Sequence, residues 1–213
     1  STEMDYMMYY QSVRLGRGLP DLAPGLPIEQ NYRSLHFSSS TDKLLVVYAR
    51  KPGCLRVLDY TNPDWTPQLF PEDMQDALPL SNLSLIRAES GVQAQPPVNI
   101  FDLDPGQTWC LYFEDADLAA QQGDWDQVAS IGDKALALPD REAELTELSV
   151  FIEGYVKVGR FDAALEVSQY LSERSEGNYD QAICDLWRAV EAEQGGFDTD
   201  FDMQSVYANF CNP

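Results

Sequence analysis

Imidazole is nearly missing from this chain: its 213 residues include a single histidine, His36. Hydrolytic chemistry needs a nucleophile, a base and an orienting acid to converge, and the surroundings of His36, LHFSSST, contain no G-x-S-x-G elbow. His36 therefore reads as a hydrogen-bonded structural residue. Phosphate loops of the G-x-x-x-x-G-K-[ST] and G-x-G-x-x-G types are also lacking. The four cysteines, Cys54, Cys110, Cys184 and Cys211, are widely spaced without a C-x-x-C pair, so with one histidine they make no zinc set. No run approaches the roughly eighteen consecutive apolar residues of a membrane span. The opening STEMDYMMYYQSV has neither the basic start nor the apolar stretch of a signal peptide. Cations are scarce: 14 Lys and Arg against 35 Asp and Glu give a net charge of −21, which repels nucleic acid and anionic lipid. No catalytic residue, metal or cofactor is expected, and neither nucleic acid nor a membrane span.

What is present is enough apolar material, 44% of residues, for a globular chain of one or two domains. Tyr6, Tyr9, Tyr10 and Val13 fall at helical spacing before the breaks at Gly16, Gly18 and Pro20 and the turn DLAPGLP. The run LLVVYAR, the turn Lys51-Pro52-Gly53 and the alternating CLRVLDY read as a β-hairpin. Between Thr61 and Pro97, Ser81 is placed to cap a short helix carrying Leu83 and Ile86, and VNIFDL reads as another strand. These elements predict a small α+β unit over residues 1–104, ending at the turn Asp104-Pro105-Gly106.

Helical character then holds to about Gln194. Trp109, Tyr112, Phe113, Ala116, Ala119 and Ala120 share one face of a helix ending near Gly123; the next starts at Trp125 and presents Val128, Ile131, Ala135 and Leu138. QQGDWDQVASIGDKALAL and KVGRFDAALEVSQYL run in phase, with Gly123 matching Gly159, Trp125 matching Phe161 and Val128 matching Ala164. On these positions, with Ala135, Leu138, Pro139 and Tyr155, the half resembles tetratricopeptide repeats. Asp115 and Ala116 replace the usual Leu-Gly, and the spacing slightly exceeds the family norm, so the repeats are divergent.

The resemblance implies an antiparallel α-hairpin array over residues 105–194, closed by an amphipathic helix with Tyr179, Ala182, Ile183, Leu186, Trp187 and Val190, and followed by an acidic tail over 195–213. Phe113, Asp117, Gln121, Ser149, Glu153 and Lys157 would face its groove and bind a protein or peptide. Packing of that groove against the N-terminal unit is the competing expectation.

A second resemblance spans most of the chain. YYQSVRLGRGLPDLAPGLP, GCLRVLD, DALPLSNLSLI and FDLDPGQTWCLYFEDADLAAQQGDWDQV resemble the C-terminal soluble region of bacterial glycosyltransferase-like membrane proteins of the protein mannosyltransferase type. None of these phrases is a catalytic motif. The resemblance implies an extracytoplasmic domain whose partner includes the membrane-embedded part of its parent protein. Cysteines in that compartment would oxidise, Cys54 with Cys110 or Cys184 with Cys211. Without it, the four cysteines suit either two disulfides in any of three connectivities or small buried hydrophobes, and the chain would be soluble and cytoplasmic.

Two further patterns carry less. Asp198, Asp200 and Asp202 match the first ligand positions of a calcium loop, but Met203 stands where that loop needs glycine and no glutamate closes it. The rival to a scaffold module is an accessory carbohydrate-binding or enzymatic domain using Asp102, Asp104, Trp65 and Trp109 in an inter-domain cleft.

Overall fold

The first two helices begin where the sequence supplies side-chain caps. The Thr108 hydroxyl accepts the Leu111 amide at 3.4 Å and opens α1, Trp109–Gln121; the Asp124 carboxylate accepts the Gln127 amide at 3.1 Å and opens α2, Trp125–Ala135. Gly123 turns the chain between them with φ +73°, a left-handed conformation that a side chain would oppose. This computed structural model describes residues 2–3, 23–49, 53–58, 77–86, 108–139, 144–197, 201 and 203–211. A 3-10 turn at Leu145–Leu148 runs into α3, Ser149–Lys157; Gly159 at φ +76° separates it from α4, Phe161–Arg174. Then come α5, Asp180–Gln194, and α6, Met203–Phe210. The described residues thus form six helices and two small sheets, a mixed α+β architecture in which helix predominates. No helix among them is long and apolar enough to cross a membrane.

The chain divides into two compact units, one of Ser1–Tyr48 with Val57–Val92, the other of Ala49–Arg56 with Gln93–Pro213. The helical unit thus takes in a short excursion at 49–56, and the boundary expected after residue 104 lies outside the described residues.

In the first unit, β1 (Thr2–Glu3), β2 (Pro27–Tyr32) and β3 (Leu35–Ser40) form a sheet of order β1-β3-β2, with β2 and β3 antiparallel from Pro27↔Ser40 to Tyr32↔Leu35. Arg33 makes the tight turn at φ 56°. Thr41, 2% exposed, anchors the strand ends: its hydroxyl donates to Ala23 O (2.5 Å) and accepts from Leu26 N (2.8 Å). Leu58 and Leu78 are buried, with Val46 and Tyr48 packed against them. The hairpin expected around residue 52 forms from β4 (Val47–Ala49) and β5 (Leu55–Val57). The helix expected after Ser81 is one 3-10 turn, Leu83–Leu85. Its cap is Asn82, because the Ser81 hydroxyl is engaged by the Val46 amide at 3.3 Å.

In the second unit, α1 packs on α2, α2 on α3 and α3 on α4, while α1 and α5 each also touch α3. The face read on α1 is buried at all six positions. On α5, Ile183, Leu186, Trp187 and Val190 are buried as read, with Cys184 added; Tyr179 and Ala182 are half-buried. The C-terminal segment departs from an acidic tail. Phe197 and Phe201 lie 4.7 and 4.8 Å from the Phe161 ring, Phe201 stacks on Trp187 at 5.6 Å, and α6 buries Val206 and Phe210. Val206 and Phe210 are buried and Phe197 and Phe201 half-buried, and removing that apolar surface from water, worth roughly 1.5–3 kcal/mol for each side chain fully covered, is what draws the segment onto the helices. Tyr6, Tyr9, Tyr10, Val13, VNIFDL, the Asp104-Pro105-Gly106 turn and Asp198, Asp200 and Asp202 lie outside the described residues.

Contact between α2 and α3 is closest where glycine removes a side chain. A Cβ on Gly154 would lie 2.4 Å from Val128 Cγ1, and one on Gly132 would lie 2.8 Å from Tyr155 Oη. Each helix thus offers a glycine hole to a knob of the other. Gly154→Ala should cost about 1–3 kcal/mol by overpacking, despite alanine's better helix propensity, and should lower the denaturation midpoint; an unchanged or raised midpoint would show that the layer yields freely.

Candidate functional site

Residues 144–148 enter α3 through a 3-10 turn that turns Thr146, Glu147 and Leu148 inward together, at 5%, 1% and 0% exposure. Glu147 thereby carries a carboxylate into the interior. One oxygen accepts the Cys54 amide at 2.6 Å; the other accepts the Trp109 indole N–H at 2.5 Å and the Glu144 amide at 3.4 Å. Trp109 meets Phe151 edge-on at 5.5 Å. Cys54 is joined by a disulfide to Cys110, the residue after Trp109, and Arg56 lies 5.6 Å from the Phe113 ring centroid. Residues 53–56 are therefore fastened to α1 and α3 by a covalent bond, a buried charge-assisted bond and a cation–π contact. Sequence reasoning passed over Glu147. Its signal was positional: Glu147, Phe151 and Tyr155 recur at helical spacing, so a carboxylate occupies a phase otherwise apolar.

The six residues assigned to a groove separate into two groups. Phe113 and Ser149 are interior, at 0% and 2% exposure, and Ser149 donates to Thr146 O at 2.8 Å; as corrections, neither presents a surface to a partner. Asp117 and Gln121, one turn apart on α1, are half-buried and hydrogen-bonded at 3.2 Å. Glu153 and Lys157, one turn apart on α3, are half-buried as well. Lys157 is ion-paired with Glu193 of α5 and sits 5.1 Å from the Trp125 centroid, which leaves its side chain 9% exposed. Asp117, Gln121 and Glu153 keep partial exposure, while the Lys157 side chain is nearly covered.

Between α2 and the end of α3, the Tyr155 hydroxyl donates to Asp133 Oδ1 at 2.9 Å and Arg160 grips both carboxylate oxygens at 2.9 Å. The guanidinium bonds, chiefly, hold the Asp133 pKa below its usual value, whereas burial first and the Asp133 bond second raise that of Tyr155.

His36 Nε2 lies 3.1 Å from Glu29 Oε2 and Nδ1 lies 2.8 Å from Asn31 Oδ1, while the Ser38 hydroxyl donates to Glu29 Oε1 at 2.7 Å. The carboxylate stands between serine and histidine. A nucleophilic triad requires the imidazole in that middle place, so this exposed cross-strand ladder is a structural array. Of the rival cleft residues, Trp109 is 5% exposed and committed to Glu147, which removes it as a stacking platform; Trp65, Asp102 and Asp104 lie outside the described residues. Two disulfides are present, Cys54–Cys110 and Cys184–Cys211. No family model, curated protein or solved structure matches the chain.

Glu114 differs from Glu147 in kind. It lies on the outer face of α1, where crowding by protein raises its pKa above the ordinary value, the Leu55 amide opposes this, and Asp115 and Glu147 add to it. A folded pKa above the unfolded one makes protonation stabilising, so this contribution is full at low pH and is lost as pH rises through the folded pKa. Glu114→Gln should therefore raise the melting temperature at pH 7, with the gain fading below about pH 4; a gain independent of pH would point to packing instead.

Glu147→Ala would strand two buried N–H donors and should cost about 2–5 kcal/mol, with Trp109 fluorescence shifting. Glu147→Gln, which keeps an acceptor, should cost less in the same melts. Equal losses would mean that Glu147 acts through its size alone.

Proposed function

We propose that this chain is a non-catalytic protein-interaction or scaffold module whose helical unit is a divergent tetratricopeptide-like array. The observation that carries the reading is the serial contact of α1, α3 and α5, the first helix of each successive layer, with left-handed Gly123 and Gly159 at equivalent points of two helical hairpins. Stacking of first helices on one another is how such arrays bury faces that one hairpin leaves bare. In this reading the half-buried Asp117, Gln121, Glu153 and Lys157 line a lane between those helices and are the side chains a protein or peptide would meet. The placement of Glu29 between Ser38 and His36 favours this reading over an enzymatic one.

We further propose that the module is the extracytoplasmic C-terminal domain of a glycosyltransferase-like membrane protein, on the strength of the phrases quoted from its sequence. Two disulfides suit an oxidising compartment, since cytosolic reductants would keep such thiols reduced. The partner in that setting is the membrane-embedded part of the parent protein, where sugar transfer would reside.

Fractionating native cells and probing with an antibody to this domain tests the proposal. The expected band is large and membrane-bound, and its thiols resist alkylation until a reductant is added. A soluble band near 24.0 kDa with freely alkylated thiols would overturn the membrane-protein reading.

A further inference from the structure

Among the described residues of the helical unit, the exposed large apolar side chains are Leu55, Leu111 and Leu118, at 45%, 39% and 37% exposure; the others, Leu45, Val47 and Leu85, belong to the first unit. The three are gathered. Leu111, Glu114 and Leu118 stand at i, i+3 and i+7 on the outer face of α1, and the Leu55 amide donates to the Glu114 carboxylate. Fastening residues 53–56 through Cys54 is what holds Leu55 there. In a chain of net charge −21, an apolar cluster set around one carboxylate is out of keeping with a surface maintained by hydration alone. Glu114 and its neighbour Asp115 are both exposed, so the charge this face presents is negative and a cation complements it.

We infer that the Leu55–Leu111–Leu118 face docks an amphipathic, cationic segment of a partner protein, with apolar side chains on the three leucines and a Lys or Arg on Glu114. The inference rests on the interaction-module reading and adds to it a surface and a partner chemistry. A helical segment with Leu and Lys on one face fits best: its apolar stripe spans two turns, as Leu111 and Leu118 do, and its cation pairs with the exposed Glu114 carboxylate. The lane of Asp117, Gln121, Glu153 and Lys157 is a different surface. Its one lysine is already paired with Glu193.

The test uses the full chain, a fluorescein-labelled amphipathic Leu/Lys helical peptide, and an oligolysine of equal charge, compared by fluorescence polarisation at physiological salt. The Leu/Lys peptide should bind at least about tenfold more tightly than oligolysine. Leu118→Ser or Leu111→Ser, both at exposed positions, should erase that preference, and Glu114→Gln should weaken the peptide several-fold. Equal affinity for the two peptides, or a preference unmoved by the serine variants, would overturn the inference by reducing binding to bulk charge. It would equally fall if sedimentation showed the chain dimerising through this face, or if the face bound zwitterionic vesicles, with Leu118→Ser abolishing either. Cell fractionation reports on the parent protein and this titration on the surface, so either can fail alone.

Discussion

The helical unit depends on one buried carboxylate. Glu147 is 1% exposed and would be costly in an apolar interior, where an unpaired charge loses many times what a good side-chain contact returns. Its position is tenable because two neutral donors, the Cys54 amide and the Trp109 indole, arrive from distant parts of the sequence and meet its two oxygens at 2.6 and 2.5 Å. The relation is reciprocal. The amide and the indole are buried too, and either would be stranded without the carboxylate. Burial of Glu147 is thus satisfied only when residues 53–56, the start of α1 and the turn before α3 are all in place, which makes the junction cooperative and unique in geometry.

Covalent bonds reinforce the same logic at the two ends of the unit. The Cys54–Cys110 bond closes a loop with sequence separation 56, and Cys184–Cys211 one of 27, separations that stabilise by about 4 and 3.5 kcal/mol in the loop-entropy account. The first secures the excursion that supplies the Cys54 donor; the second secures α6 against α5. Between them the layers of α2 and α3 approach through glycine holes at Gly132 and Gly154, and the Tyr155–Asp133–Arg160 bonds pin the rim of that contact. Tight packing in the middle and crosslinks toward the two ends of the unit are complementary, since α3 touches four helices while α1 and α5 each touch two.

Legibility in the sequence followed the range of the interactions involved. Helical faces were readable because periodicity is local: every α1 position read as apolar is interior, as are four of those on α5. The β2–β3 hairpin was not readable, because its turn uses Arg33 at a positive φ where glycine or asparagine is the usual sign, and its second strand ends in serines that imitate a loop. The C-terminal segment misled for a related reason. Aspartates at alternate positions advertise solvent, while the phenylalanines between them, Phe197 and Phe201, find their partners in Phe161 and Trp187 far along the chain. Phase alone put Phe113 and Ser149 in a groove, but α3 has neighbours on nearly every side, so positions that line a surface in an open array are interior here.

Two glutamates in this unit show how a single residue type serves opposite ends. Glu147 is buried with donors converging on both oxygens, so its charge contributes to order. Burial first, and then Asp115 and Glu147, raise the pKa of Glu114 against the one amide named for it, that of Leu55, so its charge opposes folding at neutral pH. A residue that folding alone would favour replacing, standing amid the exposed leucines of the unit, is the pattern expected where a surface is kept for contact and stability is given up to keep it. The same excursion supplies the donor that makes Glu147 tolerable and the Leu55 amide that reaches Glu114. Stability of the junction and the character of the surface therefore have a common structural origin: the segment that completes the interior on one side sets, on the other, an exposed leucine near an exposed carboxylate.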